Sequence, residues 1–385
     1  MLNRNILKID KINAFSSATA YVARYKKEHP QRDVISLGIG DVSKPIVKPI
    51  IEAMHKAVDD LADMSSFHGY GGYYGLPELR QAIIDNDYPQ FGFTIDEVYV
   101  SDGTKSDCTN ILELFDINSR ILMADPTYPI YRNRCYALSR EVYFTPLDEN
   151  YQMVIPEEHY DVIFICSPSN PVGNAMTYDV LEKWVSYAVR ENAYIIYDNV
   201  YEAFISSPDV PKSIYEIPEA RKCAIELRSF SKRASFTGLR CSYFILPKEI
   251  DTVLFKERTI NRFNGASYVA QVGALASFLP ESRELLQKNI EIYKENITFL
   301  KKSFEKMGFE VTGGVDSPYI WVKNKENISS FEYFHKILNE INVIIVPGAI
   351  FGPHGEGYFR VSGLGTIENS RRAVERFQRY YEESH

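Results

Sequence analysis

Short apolar runs recur through the first two thirds of the chain, and each ends in a polar or glycine-containing segment. VISLGIG occupies 34–40. EVYV at 97–100 runs into Ser101, Asp102 and Gly103, and ILMA at 121–124 runs into Asp125 and Pro126. DVIFIC at 161–166 is followed by SPSNP at 167–171, and YIIY at 194–197 by Asp198. CAIEL at 223–227 leads to Arg228 and Ser229, and CSYFIL at 241–246 stops at Pro247. Runs this continuous predict strands buried on both faces, as in a mainly parallel sheet covered by helices. A helical period fills the gaps. Thr177 is placed to cap a helix reaching Asn192, with Leu181, Trp184, Val185, Ala188 and Val189 on its apolar face. Pro77 suits the first turn of another, carrying Leu79, Ile83 and Ile84. The alternation predicts a layered α/β domain, whose ligands bind beyond the C-terminal ends of the strands. The polar residues collect at those ends.

The last third has a different pattern. Leu286, Ile290, Tyr293, Ile297, Leu300 and Phe304 recur three or four apart and predict an amphipathic helix over 286–307. Strands are expected at 319–322, 343–346 and 357–362. A helix is expected near 329–340, and a last one over 367–382 with Ala373, Val374, Phe377 and Tyr381 inward. This is an α+β pattern. The expected division is an arm and helix over 1–33 packing with the small domain, a large domain over 34–275, and a small domain over 276–385.

Composition narrows the class. The chain has 385 residues, 45% of them apolar and 24% charged, with a net charge of −8. That is an ordinary soluble balance, and it argues against nucleic acid as a partner. No apolar run reaches membrane-spanning length. The N-terminus lacks the long apolar region of a secretory signal. The five cysteines include no C-x-x-C pair, so no disulfide framework, zinc knuckle or other metal site is expected. A reducing cytoplasm is the expected location. Tyrosine is frequent, at 27 residues, which by itself fits composition as well as ligand stacking.

Chemistry gathers around SFSKRASFTGLR at 229–240. It has no helical apolar period, yet sets Lys232 among serines and Arg240 after a glycine. Taken singly, such features carry little: a lone lysine is ordinarily a surface residue, and Asn-Pro or Pro-x-Gly marks a turn. No GxxxxGK[ST] occurs, and 69–75 (GYGGYYG) is not GxGxxG, so nucleotide binding has no support. The order and strand-end placement of the whole set carry more. Lys232, Asp198, Tyr201 and Asn170 supply an amine, an acid and two ring-oxygen donors. Thr104, Ser229, Ser231 and Arg240 supply hydroxyls and a cation. Pyridoxal 5'-phosphate (PLP) asks for this set: a lysine to bond its aldehyde, an acid for its ring nitrogen, and an anion cup. Tyr128 would stack on the ring.

The series SNPVG, YDNVYEAF and SFSKRASFTGLR resembles the fold-type I PLP aminotransferases, and within them the LL-diaminopimelate aminotransferases. The likeness runs from LGIGDVSKPI through GYGGYYGLPELR, VSDGTKSD, DPTYPIY, FNGASY and SPYIWVK to PGAIFGPHGEGYFRVSGLG, nearly the whole chain. It implies a three-layer α/β/α large domain, a smaller α+β domain, and a homodimer with shared sites. It implies that Lys232 holds the cofactor and shuttles the α-proton, with Asp198 on the ring nitrogen and Tyr201 and Asn170 on the ring hydroxyl. Thr104, Lys105, Ser229, Ser231 and Arg240 would surround the phosphate, joined by Tyr70 from the partner. Arg360 would clamp the substrate α-carboxylate, a bidentate task suited to arginine, with Gly40 and Asn264 lining the substrate side. Arg233, beside Lys232, would favour its free-base form.

Three departures bear on specificity. Where the family commonly reads GYGPEQG, this chain has GYGGYYG, so Tyr73 stands where an acid would meet a distal ammonium group. Losing such a partner costs roughly 2–5 kcal/mol. Asn13 takes the place of a tyrosine, and RASFTG replaces TAGFTG. Diaminopimelate with 2-oxoglutarate, another amino acid or amino-bearing intermediate, a lyase or racemase, and a non-catalytic PLP-binding protein are the open readings.

Overall fold

Alternate residues of each strand face opposite cores. In DVIFIC, Ile163 and Ile165 join one buried cluster with Leu122, Ile195, Tyr197 and Trp184, while Val162 and Phe164 join another with Ile121, Met123 and Ile196. Period-two geometry with both faces covered is why these strands read as unbroken apolar runs. Each fully buried aliphatic or aromatic side chain contributes about 2 kcal/mol.

The computed structural model describes residues 14–383 apart from positions 39 and 251. Asn13 and the first part of the expected arm lie outside the described residues. In chain order the elements are α1 (Ala14–Glu28), β1 (Ile35–Ser36), α2 (Lys48–Asp60), α3 (Pro77–Asp87), β2 (Val98–Ser101) and α4 (Thr104–Asn110). Next come β3 (Ile121–Asp125), α5 (Pro129–Ala137), β4 (Val142–Pro146), β5 (Val162–Cys166), α6 (Tyr178–Glu191) and β6 (Tyr194–Asp198). Then follow β7 (Ala224–Ser229), the one-turn α7 (Phe230–Arg233), β8 (Ser242–Ile245), α8 (Thr252–Arg262) and α9 (Tyr268–Ala276). The remainder is α10 (Pro280–Lys306), β9 (Val311–Gly313), β10 (Tyr319–Lys323), α11 (Ser330–Ile341), β11 (Val343–Ile344), β12 (Val346–Pro347), β13 (Tyr358–Ser362) and α12 (Ile367–Glu383).

The large sheet has the order β2-β8-β7-β6-β5-β3-β4. β8 runs antiparallel to both neighbours, and the other pairs are parallel. Its register decides where the site lies. Cys166 is opposite Asp198, and Ser229 and Ser101 are both opposite Ser242. Because β8 is reversed, its N-terminal end shares an edge with the C-terminal ends of the parallel strands. Arg240, just ahead of β8, therefore comes to that edge.

The second sheet is antiparallel, β12-β13-β10-β9, and packs Ile320, Trp321, Val322, Phe359 and Val361 against α10, α11 and α12. α1 contributes Ala18 and Tyr25 to the same cluster, and β1 pairs in parallel with β11. Position 275 falls inside α9. α10 then crosses both cores: Leu286 belongs to the first, Ile297, Leu300 and Phe304 to the second, and Ile290 and Tyr293 to a small cluster between them with Tyr201 and Tyr319.

Local outcomes differ from the pattern in several places. Thr177 takes the N-cap position without a side-chain hydrogen bond, while Asn192 closes the helix in the left-handed conformation at φ 53°. The run 34–40 yields a two-residue strand, since its partner β11 is equally short. The run 343–346 splits between two partners, β1 and β13.

Candidate active site

A cavity of about 420 Å³ opens at the strand-end edge. It gathers Thr104, Lys105, Tyr128, Asn170, Asp198, Tyr201, Ser229, Ser231, Lys232 and Arg240 from the large sheet's loops, with Gly40 after β1 and Arg360 from β13. Twelve expected residues, scattered over the sequence, meet in one place.

One end is built for an anion. Thr104 begins α4, and its buried Oγ1 has no hydrogen-bond partner. Gly103 before it has φ +129°, and a Cβ there would lie 1.9 Å from Nη2 of Arg240, so the arginine needs glycine's bare backbone to pass. Arg240 is itself left-handed, at φ 57°, and its Nη1 donates to the Thr237 carbonyl at 3.1 Å. Ser229 Oγ accepts from the Ser231 amide at 3.0 Å. Beneath this end, Asp107 takes hydrogen bonds from Ser101 (2.7 Å) and Ser242 (2.9 Å), tying the ends of β2 and β8 together. Its burial pushes the carboxyl up to about 7.

At the centre, Lys232 Nζ donates to the Gly40 carbonyl. Asp198, the last residue of β6, is buried; Tyr131 donates to its Oδ2 at 2.5 Å, and its Oδ1 has no partner. Desolvation pushes Asp198 up to about 6, against the lowering by the Tyr131 hydroxyl and the Val200 amide. Tyr131 also meets Tyr128 edge to face, at 5.6 Å and 83°. Burial raises the Tyr128 phenol.

Arg233 does not serve Lys232. It turns into the interior and binds both oxygens of Asp87, at 2.7 and 3.1 Å, with Glu202 at 3.3 Å. Two carboxylates compensate its charge, so it offers little field to the neighbouring amine.

The far wall carries a guanidinium. Arg360 donates from Nη1 to Asn170 Oδ1 at 2.6 Å and from Nη2 to the Gly38 carbonyl at 3.3 Å. Its guanidinium sits 4.4 Å from the Tyr319 ring centre and 5.1 Å from that of Phe351. Its Nε is buried without a partner. The bond to Arg360 leaves the Asn170 amide nitrogen as the donor toward a ring oxygen. Three unpartnered buried polar atoms, Thr104 Oγ1, Asp198 Oδ1 and Arg360 Nε, therefore share one site. They suit a phosphate, a protonated ring nitrogen and a carboxylate, and the donor set fits PLP with an amino acid.

Tyr70, Tyr73 and Asn264 do not line this cavity and are exposed, Tyr70 to 93%. His68 stacks on Tyr268 at 3.8 Å. Cys166 lines the cavity because it ends β5. Tyr131, Tyr319, Cys108, Thr237, Asp41 and Gly38 also line it and carried no signal of a role in the sequence. Tyr131 stood in DPTYPIY and Tyr319 in SPYIWVK, and membership of those motifs was the available hint.

A model of aminotransferases of class I and II matches residues 32–377. The chain belongs to that family, and is thus a fold-type I, PLP-dependent aminotransferase. It is similar to the LL-diaminopimelate aminotransferase of Lawsonia intracellularis, with 39% identity over 402 residues and 98% of each chain covered. The enzyme of that name from Lachnospira eligens is 41% identical over 399 residues, covering 98% of this chain and 99% of its own. The solved L,L-diaminopimelate aminotransferase from Chlamydomonas reinhardtii superposes with a TM-score of 0.92 at 35% identity, covering 99% of this chain and 98% of the other.

Proposed function

We propose that this protein moves an amino group between an L-amino acid and a 2-oxo acid by a two-stage, ping-pong exchange, with LL-diaminopimelate and 2-oxoglutarate as the substrate pair. The relatives' names support diaminopimelate as one partner of the pair. The observation that carries the chemistry is the shared cavity in which Asp198 Oδ1 stands unpartnered near Lys232 and Arg360.

When bound, PLP supplies an electron-accepting ring that lets an amino acid release its α-proton. The chain does the rest. Thr104, Lys105, Ser229, Ser231 and Arg240 hold the phosphate, and Tyr128 covers a ring face. Asp198 Oδ1 pairs with the ring nitrogen, while Tyr201 and the Asn170 amide donate to the ring oxygen. Arg360 fixes the substrate carboxylate, which aims the α-C–H bond at Lys232. Lys232 Nζ takes that proton and returns it one position along. Two copies complete the site, with Tyr70 of one reaching the phosphate of the other and Asn264 and Tyr73 on the substrate side. The exposed Met64, Phe67, Tyr70, Val253 and Leu254 are apolar surface for that pairing. The five thiols are free, as suits a reducing cytoplasm, and no helix among the described residues is long and apolar enough to cross a membrane.

A second reading keeps the chemistry and changes the donor. Tyr73 offers no charge to a distal ammonium group, which favours a donor without one. The test adds glutamate, LL-diaminopimelate, lysine, aspartate and aromatic amino acids one at a time to the PLP-loaded protein. Bleaching of the visible band by LL-diaminopimelate supports the first reading. Bleaching by aromatic or apolar donors alone supports the second. A protein that forms no band with PLP refutes both.

A further inference from the structure

Tyr319, the first residue of β10, belongs to neither the cofactor set nor the substrate set, yet touches both. It is 1% exposed. Its hydroxyl lies 3.0 Å from that of Tyr201, and the two rings meet edge to face at 5.3 Å and 82°. The face of its ring carries the Arg360 guanidinium at 4.4 Å. Its backbone is fixed as well. Tyr319 pairs with Ser362 of β13, and its amide donates to Ser317 Oγ at 3.2 Å. Its carbonyl packs on Gly173, at φ +80°, where a Cβ would come within 2.1 Å of that oxygen.

We propose that Tyr319 is a positioning residue for the amino transfer: its hydroxyl holds Tyr201 as a donor toward the ring oxygen of PLP, and its ring face holds Arg360 toward the substrate carboxylate. The proposal rests on the reading above that PLP occupies this cavity.

The direction follows from counting protons. Tyr201 has one phenolic proton. If that proton goes to the ring oxygen, the Tyr201 oxygen is left to accept, and the Tyr319 hydroxyl is within reach to donate. The reverse arrangement would spend the Tyr201 proton on Tyr319 and turn a lone pair toward the ring oxygen. The groups facing the pair are Arg360 on β13, Cys166 at the end of β5 and Tyr128 after β3; of these, Arg360 carries the charge. On the other side, an aromatic face under a guanidinium restrains its swing and favours its charge.

Two variants separate the roles. Tyr319→Phe keeps the ring and removes the hydroxyl; Tyr319→Leu removes both. The readouts are the pH midpoint of the visible band of the lysine-linked cofactor, and KM for both substrates. A donor to the ring oxygen draws charge from it and loosens the proton shared with the lysine nitrogen. Weakening that donor tightens the proton, so the midpoint rises. Tyr319→Phe is expected to raise it by about half a pH unit, roughly half the effect of Tyr201→Phe, with KM changed less than about twofold. The double variant Tyr201→Phe/Tyr319→Phe is expected to match Tyr201→Phe alone, because Tyr319 acts through Tyr201. Tyr319→Leu is expected to raise both KM values about tenfold. An unmoved midpoint in Tyr319→Phe, additive shifts in the double variant, or unchanged KM in Tyr319→Leu overturns the proposal. Absence of any visible band in the PLP-treated wild type would instead remove the reading on which it rests.

Discussion

Replacing Tyr131 by phenylalanine removes one hydroxyl and keeps the ring that packs on Phe164 at 4.9 Å. The hydroxyl is a hydrogen-bond donor to Asp198, whose Oδ1 has no partner and whose carboxyl burial has already pushed up to about 6. A hydrogen bond to a charged buried group is worth about 1.5–3 kcal/mol, and a pKa unit about 1.4 kcal/mol, so the variant's Asp198 moves up by roughly one to two units. At pH 7 the wild-type group is about nine-tenths ionised, and the variant's about half to one-tenth. Since pairing with a protonated ring nitrogen needs the carboxylate, PLP affinity at pH 7 falls roughly two- to tenfold and recovers toward pH 9. The assay is the PLP dissociation constant of the cofactor-free protein, followed by absorbance from pH 6 to 9 in both proteins. A loss of the same size at every pH would show that packing, not ionisation, had been disturbed, and would refute the reasoning.

Asp107 is predicted to make the cofactor-free protein less stable as pH rises. Folded, it keeps its proton to about pH 7; unfolded, it loses it near the ordinary 3.8. The native state therefore binds more protons between those values, and its stability falls as pH rises through them. Asp107→Asn removes that slope, and its urea midpoint is expected to equal or exceed the wild type's at pH 8. Arg233→Ala removes the cation that binds Asp87 and Glu202 directly; it is expected to cost about 3 kcal/mol in denaturant unfolding, whereas breaking the exposed Lys288–Glu284 pair should leave the denaturant midpoint nearly unchanged. Arg360→Lys replaces a planar fork with a point charge, and kcat/KM for every α-carboxylate donor is expected to fall about 100-fold, while PLP binding measured by absorbance stays within about twofold.

What the sequence revealed depended on burial. Strands covered on both faces, such as β5 and β6, stood out as apolar runs. The edge strand β4 did not, because Thr145 alone among its residues is buried. The large-sheet residues that line the cavity were legible because most sit just past the end of a run, and the register of a parallel sheet brings run-ends together. The resemblance supplied their roles. Tyr131 and Tyr319 were not legible: among 27 tyrosines, neither composition nor spacing tells which hydroxyl will meet Asp198 or Tyr201. Arg233 misled for a related reason. Adjacency to Lys232 suggested a shared task, but successive residues of a helical turn point in different directions, and its carboxylate partners come from elsewhere in the chain.

The stitch between the two ends of the chain bears on how the protein is made. Arg360 Nη2 reaches the Gly38 carbonyl across 322 residues, and Tyr25 reaches Asn342 across 317. Contacts so distant form last in a growing polypeptide. The seven strands of the large sheet, with Lys232, leave the ribosome well before β13 does. Under the proposed roles, a partly synthesised chain thus carries Lys232, the amine for PLP, but lacks Arg360, the cation for the substrate carboxylate. The wall that carries Arg360 is therefore completed only after the large sheet has been made.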